Sequence, residues 1–263
     1  MKTKRFWKIL YICLVLVILV VPSLGLLVFR SGEAESADSK DAPVLITEEG
    51  LNQNFLKDAG NYFEDHFALR DEMVTGYALL GANVFQTSTQ PKVVAGNNGW
   101  LYYTDTLDDY QAINQLSDRQ LFDIARSLKM MQDYLKSEGI TMLFVMVPNK
   151  NSLYDENMPY YYLRGADEQK NLARIKPYLE AEGVNYLSLE DVLLSDDPLY
   201  MAKDSHWNNL GAALATEVIL KKLSLPCKNY TSASWVTRTD YEGDLDGMIF
   251  PAAITKEAQV YTD

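Results

Sequence analysis

The feature that most constrains this fold is an uncharged apolar run, Ile140–Val147 (ITMLFVMV), set between two helical segments. Strands of parallel sheets, which helices cover on both faces, have such near-continuous apolar sequences. Before the run, Ser117–Gln120 has the form of a capping box, and apolar residues then recur at helical spacing up to Gly139. A second helix over 167–182 and a second strand, Val184–Leu189, follow. This order predicts an α/β fold in which a parallel sheet is flanked by helices.

The sequence predicts three more elements outside this central pattern. Apolar residues at a spacing of three and four predict a helix over 51–85 and another over 208–223. The tight-turn sequence Asn97-Asn98-Gly99 leads into a short predicted strand, Trp100–Tyr103. The length of 263 residues suits one large domain with a small extension. The predicted parts are a cytoplasmic tip with a membrane anchor (1–30), a polar linker (31–50) and one folded domain (51–263).

Near the N-terminus, Ile9–Phe29 contains 21 residues without a charge. As a helix this run would span roughly 31 Å, which matches the hydrocarbon core of a bilayer. Four cations precede it, and acidic residues follow Arg30 closely, so the positive-inside rule puts the N-terminus in the cytoplasm. A cleaved signal peptide is the alternative, but its apolar region is usually only ~7–15 residues long. We therefore predict a single-pass cell-membrane protein whose bulk is extracytoplasmic.

Charge and cysteine content exclude several classes of protein. The net charge is −12, although five cations and no acid precede residue 31. So acidic a domain argues against nucleic-acid binding, which needs a basic patch. Cys13 lies in the apolar run and Cys227 in the predicted exported domain, so the two cysteines do not pair. We expect no disulfide scaffold, no metal and no cofactor.

The segment Asp204-Ser205-His206 contains one of the two histidines and opens the helix predicted over 208–223. Ligand sites of parallel α/β sheets lie beyond the carboxyl ends of the strands, and this segment follows the second strand by a loop. A carboxylate that accepts the imidazole Nδ1–H fixes the tautomer and leaves the other nitrogen available as a general base. We predict that Asp204 and His206 are catalytic. The alternative is a helix-capping aspartate beside a surface histidine.

Five segments, taken in order, resemble the DHHW family of exported bacterial proteins, which is related to the alginate O-acetylation proteins. They are Tyr62–Asp71, Gly96–Tyr102, Val147–Lys150, Asp204–Trp207 and Gly243–Leu245. The ordered set covers about residues 51–250 and is specific, whereas each motif alone is not. The resemblance implies a circularly permuted SGNH hydrolase-like domain.

Members of this family use a Ser–His–Asp triad on acyl esters and typically move acetyl groups onto or off exported polysaccharides. The resemblance makes His206 the base and Asp204 its orienting acid. The family's serine lies in a Gly-Asp-Ser turn C-terminal to the segment that Gly243–Leu245 matches, and no Gly-Asp-Ser occurs in these 263 residues. Residues 258–263 could begin the strand that would carry it. The sequence therefore predicts an incomplete SGNH-like sheet and part of a catalytic site.

Several other residues near the motifs each have two interpretations. Asn149 and Lys150 follow the first parallel strand and Trp207 follows the histidine, so we predict that they contact substrate. For Lys150 the alternatives are a solvated lysine or a contact with an acidic neighbour at the strand end, and for Trp207 the alternative is packing under the next helix. Tyr160–Tyr162 would either stack on sugar rings or pack into the domain. His66 lies on an amphipathic segment and is expected to pack rather than to bind a metal.

The function predicted from these motifs is O-acetylation of an exported polysaccharide or cell-wall glycan, by acetyl transfer or by ester hydrolysis. The expected partners are that glycan, the membrane and a membrane-bound O-acyltransferase, the last implied by the resemblance alone. No serine in the sequence, Ser205 included, has the context of a nucleophile. A non-catalytic glycan-binding or scaffolding subunit is therefore the alternative, and a fragment of a longer gene product is a third interpretation.

Overall fold

The computed structural model describes residues 2–28, 42–47, 50–66, 69–81, 87–163, 169–195 and 197–262. The chain forms two compact units, Met1–Tyr77 and Ala78–Asp263. The helices are α1 (Lys2–Val28), α2 (Phe55–His66), α3 (Arg70–Leu80), α4 (Leu107–Tyr110), α5 (Asp118–Ser137), α6 (Lys150–Leu153), α7 (Asn171–Glu182), α8 (Glu190–Leu193), α9 (Asn209–Lys222) and α10 (Asp244–Ile249). The strands are β1 (Ile46–Thr47), β2 (Gly50–Leu51), β3 (Val93–Ala95), β4 (Leu101–Tyr103), β5 (Phe144–Met146), β6 (Tyr186–Ser188), β7 (Val236–Glu242) and β8 (Lys256–Tyr261).

The first unit contains α1, the short antiparallel pair β1–β2, and α2. The prediction of one helix over 51–85 is wrong, because α2 ends at His66 and α3 begins at Arg70. Leu69, directly before α3, has a φ of 64°, a left-handed conformation that a continuous helix does not contain. Within the described residues, no helix combines the length and the apolar character needed to cross a membrane.

The second unit contains the predicted strand–helix–strand pattern. β5 and β6 pair in parallel, with Phe144 opposite Tyr186, which confirms the parallel arrangement. Each strand has three residues, so both are shorter than the apolar runs 140–147 and 184–189 suggested. The flanking residues of each run lie in the connections to the helices. The two apolar runs therefore predicted the two strands and their parallel pairing correctly but overestimated the length of each strand.

A hydrophobic core joins α5 and α7 to the parallel pair. Leu121 and Ala125 of α5 lie one turn apart on the same helix face and are fully buried, as is Leu179 of α7. Ser117 forms the predicted capping box at the start of α5. Gly183 ends α7 with a φ of 69°, the left-handed conformation that glycine adopts without a steric cost. Local sequence signals therefore place both helices against the sheet.

The remaining strands of the second unit pair antiparallel. β3 pairs with β4, with Val94 opposite Tyr102, and β7 pairs with β8, with Thr237 opposite Val260. The C-terminal segment expected to begin a further strand is β8, and its partner is β7. Within the described residues, the parallel sheet is thus a two-stranded pair accompanied by separate antiparallel pairs.

Candidate active site

The loop 201–206, which carries the predicted catalytic residues, is fixed at both ends. Tyr200 and Trp207 form an antiparallel bridge across its base. Asn208 then caps α9, because its side-chain oxygen accepts the Gly211 N–H at 2.9 Å. The helix predicted over 208–223 is therefore confirmed as α9, and the loop is held directly before its first turn.

Asp204 is 2% exposed, and its carboxylate accepts four hydrogen bonds. Oδ1 accepts the main-chain N–H and the ring Nδ1–H of His206, both at 2.8 Å. Oδ2 accepts the main-chain N–H of Asp244 at 2.9 Å and the phenol of Tyr241 at 3.0 Å. A carboxylate has about four lone-pair sites, so this buried charge is fully hydrogen-bonded.

This environment lowers the pKa of Asp204. Burial by itself acts to raise the pKa, but the hydrogen bonds from the Asp244 and His206 N–H groups, the imidazole and Tyr241 together outweigh it. The carboxylate is therefore ionised at neutral pH and can act only as an acceptor toward His206.

His206 has an exposed ring, with 72% of its side chain accessible, although its partner is buried. Because Asp204 only accepts, the imidazole donates from Nδ1, which leaves the Nε2 lone pair without a proton. No side chain or main-chain group in the described part of the chain bonds Nε2. The pair therefore has the geometry in which a carboxylate orients a general base.

Ser205 does not complete a triad with this pair. Its hydroxyl donates to the Asp244 carboxylate and lies 3.2 Å from Nδ1 of His206. Nδ1 already donates to Asp204, so it cannot accept the serine proton. The structure thus agrees with the sequence argument against Ser205 as the nucleophile.

A cavity of about 360 Å³ opens beside the histidine. Its lining includes four of the predicted site residues, Asn149, Lys150, His206 and Trp207, so the fold brings them to one place. Val147 and Pro148, which directly follow β5, also line it. The cavity therefore lies beyond the carboxyl end of a parallel strand, where α/β folds place their ligand sites.

Lys150 differs from its neighbours in this cavity because its ammonium is buried. Nζ donates to the carbonyl oxygens of Leu101 at 2.6 Å, Ala202 at 2.7 Å and Asp204 at 2.9 Å. Burial lowers the pKa of Lys150 to about 7, against the opposing effect of nearby carboxylates, first of all Glu257. The lysine is thus not solvated, and three carbonyls take the three N–H donors that a substrate contact would need.

The other two predicted substrate contacts have partners of their own. Asn149 donates to the Asp109 carboxylate at 3.0 Å. Trp207 is half-buried and packs against a core cluster that includes Leu189 and Tyr200, while it also lines the cavity. Both interpretations of Trp207, packing and cavity wall, thus apply together, and its contact with substrate stays a prediction.

The tyrosine run beyond the strand-end loop is divided between surface and core. Tyr160 is 88% exposed and Tyr161 is 52% exposed, and the rings of the two meet edge to face. Tyr162 packs against the buried cluster that contains Tyr102 and Met158. The side chain of His66 lies outside the described residues.

Residues 93–262 match the model of a known protein family, described as "SGNH hydrolase-like domain, acetyltransferase AlgX". The matched range contains Asp204, His206 and every residue that lines the cavity. The chain belongs to this family. The expectation drawn from the sequence motifs, an SGNH-like protein related to the alginate O-acetylation proteins, is confirmed.

Two curated relatives of this SGNH-like chain share one name, and a solved structure is also similar to it. It is 26% identical to "Probable alginate O-acetylase AlgJ" of Pseudomonas fluorescens, over 84% of this chain and 53% of the relative. It is 26% identical to the protein of that name from Pseudomonas syringae, over 92% and 60% of the two chains. The solved O-acetyltransferase domain of Pseudomonas putida AlgJ is 18% identical over 66% of each chain, with a TM-score of 0.44. The chain thus spans somewhat more than half the length of the curated relatives it matches.

Two members of the SGNH-like site were not among the predicted site residues. Asp244 begins α10 and supplies both a main-chain donor to Asp204 and a carboxylate for Ser205, whose N–H it accepts at 2.7 Å. The phenol of Tyr241 donates to the carboxylate of Asp204. The Gly243–Leu245 motif marked the position of Asp244 without its role, and no local signal marked Tyr241.

Asp204, His206 and Asp244 also bring their ligand atoms within 4.8 Å of one another. Such a set of carboxylates and imidazole has the donor chemistry of a metal site. Here, however, both oxygens of Asp204 accept two hydrogen bonds each, and Nδ1 of His206 donates to one of them. The cluster is therefore a hydrogen-bonded network that orients the histidine.

Proposed function

We propose that this domain carries the acid–base part of an acyl-transfer site and serves in O-acetylation of an exported polysaccharide or cell-wall glycan. The observation that carries the proposal is the 2.8 Å hydrogen bond between the buried Asp204 and the exposed His206, beside a cavity at the end of β5. Membership of the SGNH-like family and the names of the curated relatives support acetyl as the transferred group.

In this proposal His206 moves protons at Nε2 while Asp204 stabilises the charged ring. A serine hydroxyl attacks the acetyl ester of the donor, and its proton passes to Nε2. The imidazolium then returns the proton to the leaving alkoxide, which gives an acetyl-serine. A sugar hydroxyl, or water in the hydrolytic reaction, attacks the acetyl group and gives its proton to Nε2. The serine oxygen leaves and recovers that proton.

The serine in this scheme is the one that the family resemblance implies, in a Gly-Asp-Ser turn, and these 263 residues contain no such turn. Ser205 cannot replace it, because it faces Nδ1 of His206. A coding frame that continues past Asp263 into a Gly-Asp-Ser strand would supply the nucleophile.

The proposed setting is the outer face of the cell membrane. The uncharged run Ile9–Phe29, with cations before it, supports an anchor. A membrane-bound O-acyltransferase would deliver acetyl from the cytoplasm. Sedimentation of the full chain with membranes after carbonate washing, and its release when residues 1–30 are deleted, tests the anchor.

Hydrolysis of p-nitrophenyl acetate tests the catalytic proposal. In a full-length form that carries the Gly-Asp-Ser serine, His206→Ala should lower the rate by about 10²–10⁴-fold, the usual contribution of a general base. His66→Ala, at the other histidine of the chain, is the matched control and should leave the rate unchanged. Equal rates for the parent and His206→Ala would refute the assignment.

A non-catalytic glycan-binding role is the second candidate. It is favoured by the lack of a serine hydrogen-bonded to Nε2 of His206 among the described residues and by the exposed rings of Tyr160 and Tyr161. An inactive parent that binds acetylated oligosaccharide, and loses that binding in Tyr160→Ala, would support this role. An acetylated protein detected by mass spectrometry after the ester is added would exclude it.

A further inference from the structure

Lys150 makes contacts that neither a substrate ligand nor a solvated lysine would make. Its three N–H donors hold three carbonyls from separate parts of the chain: Leu101 in β4, and Ala202 and Asp204 in the catalytic loop. The side chain therefore ties β4 and both halves of the loop to the first turn of α6.

Aromatic rings close the remaining sides of the ammonium. Nζ lies 5.0 Å from the ring centre of Trp100 and 5.2 Å from that of Tyr102, and the whole residue is 6% exposed. Charge-assisted hydrogen bonds are stronger when water is excluded, and the ring faces favour the cation. The three carbonyls thus have in Lys150 a donor that water does not easily replace.

We propose that Lys150 is a positioning residue for the Asp204–His206 pair: its ammonium fixes the main chain at Asp204 and so keeps the carboxylate aimed at Nδ1. The carbonyl of Asp204 and its side chain leave the same Cα, so holding one sets the direction of the other. The main-chain N–H of His206 already bonds Oδ1 of Asp204, and a shift of the loop backbone would disturb both bonds to that oxygen. The effect of Lys150 on the orientation of Asp204 and His206 stands by itself, and only the importance of that orientation for catalysis rests on the proposed function.

The neighbouring Lys203 provides a matched comparison. It lies inside the same loop, next to Asp204, but its Nζ bonds the Thr255 hydroxyl and lies 3.8 Å from Asp246. Both lysines lie close to Asp204. Only removal of Lys150 takes the donors from the loop carbonyls.

Histidine-selective ¹⁵N NMR of the full chain tests the proposal without any need for activity. A His66→Gln background leaves the single signal of His206, and we expect the neutral ring to be the Nδ1–H tautomer. In Lys150→Met the folded protein should show a mixture of tautomers and at least tenfold faster exchange of the Nδ1 proton. Lys203→Met should match the parent.

An unchanged tautomer and exchange rate in folded Lys150→Met would overturn the proposal. If that variant does not fold, Lys150→Gln keeps two N–H donors in the same space and should show an intermediate exchange rate. Loss of the fold in both variants would also overturn it, in favour of a role in stability alone. An inactive full-length form that carries the Gly-Asp-Ser serine would refute the proposed function but leave this NMR comparison intact.

Discussion

The carboxylate of Asp204 accepts the main-chain N–H of Asp244 at 2.9 Å, across 40 residues of sequence. Gly243 allows this approach: a Cβ on it would overlap the carbonyl of Lys203. The start of α10 therefore lies directly against the loop 201–206 and presents its first N–H to the buried charge. The orientation of His206 thus depends on a segment well beyond the Asp-x-His motif.

Removal of the Tyr241 hydroxyl should weaken this site measurably. Tyr241→Phe deletes one of the four hydrogen bonds to the Asp204 carboxylate. Because a hydrogen bond to a charged group contributes about 1.5–3 kcal/mol, we expect the free energy of unfolding to fall by about 2 kcal/mol. Chemical denaturation at pH 7 measures the change. Tyr160→Phe, on an 88% exposed ring, is the control and should change nothing; equal stability of both variants and the parent would contradict the assigned bond.

Asp204 should also make stability depend on pH. Its pKa is lowered in the folded state, so the unfolded state binds more protons as the pH falls below the ordinary aspartate value. The stabilisation is complete above that value and is lost as the pH falls through the lower pKa of the folded state. Asp204→Asn lacks this titration, so the difference in unfolding free energy between parent and variant should be about 2–3 kcal/mol at pH 7 and shrink toward pH 2.

The comparison of parent and Asp204→Asn isolates one carboxylate, since the other acids titrate equally in both. Guanidinium unfolding at a series of pH values between 7 and 2 measures the difference. A constant difference over that range would show that Asp204 has the same pKa in the folded and unfolded states. That result would contradict the stabilisation of the carboxylate by its four hydrogen bonds.

Local sequence signals predicted the parts of the fold that depend on neighbouring residues. The capping box at Ser117, the stop at Gly183 and the apolar run through β5 each act within a few positions, and each is present in the structure. The break between α2 and α3 was missed because apolar residues continue at helical spacing through it, while Leu69 takes a left-handed conformation. The spacing of apolar residues shows which face of a helix is buried, but it does not show whether the helix backbone is continuous.

The candidate site was predictable in the same limited sense. Asp204 and His206 are two residues apart, so their pairing could be read from the loop itself. Tyr241 is far from Asp204 in sequence, and Lys150 is far from its carbonyl partners, so only the packing of β4, α6 and β7 brings these groups together. A lysine after a strand looks the same in sequence whether water or buried carbonyls surround its ammonium.

The close approach at Gly243 gives the last prediction. In Gly243→Ala the new methyl group would collide with the Lys203 carbonyl, so the backbone of α10 must move away from the loop. We expect a loss of about 1–3 kcal/mol in unfolding free energy, as for other overpacked sites, together with faster exchange of the Asp244 amide proton. Gly247→Ala, inside the same helix, meets only Ile254 at 3.4 Å and should be neutral or stabilising by up to ~1 kcal/mol. Hydrogen exchange and denaturation of the two variants separate the predictions. A stable Gly243→Ala with a protected Asp244 amide would show that the contact between α10 and the loop does not require a glycine at position 243.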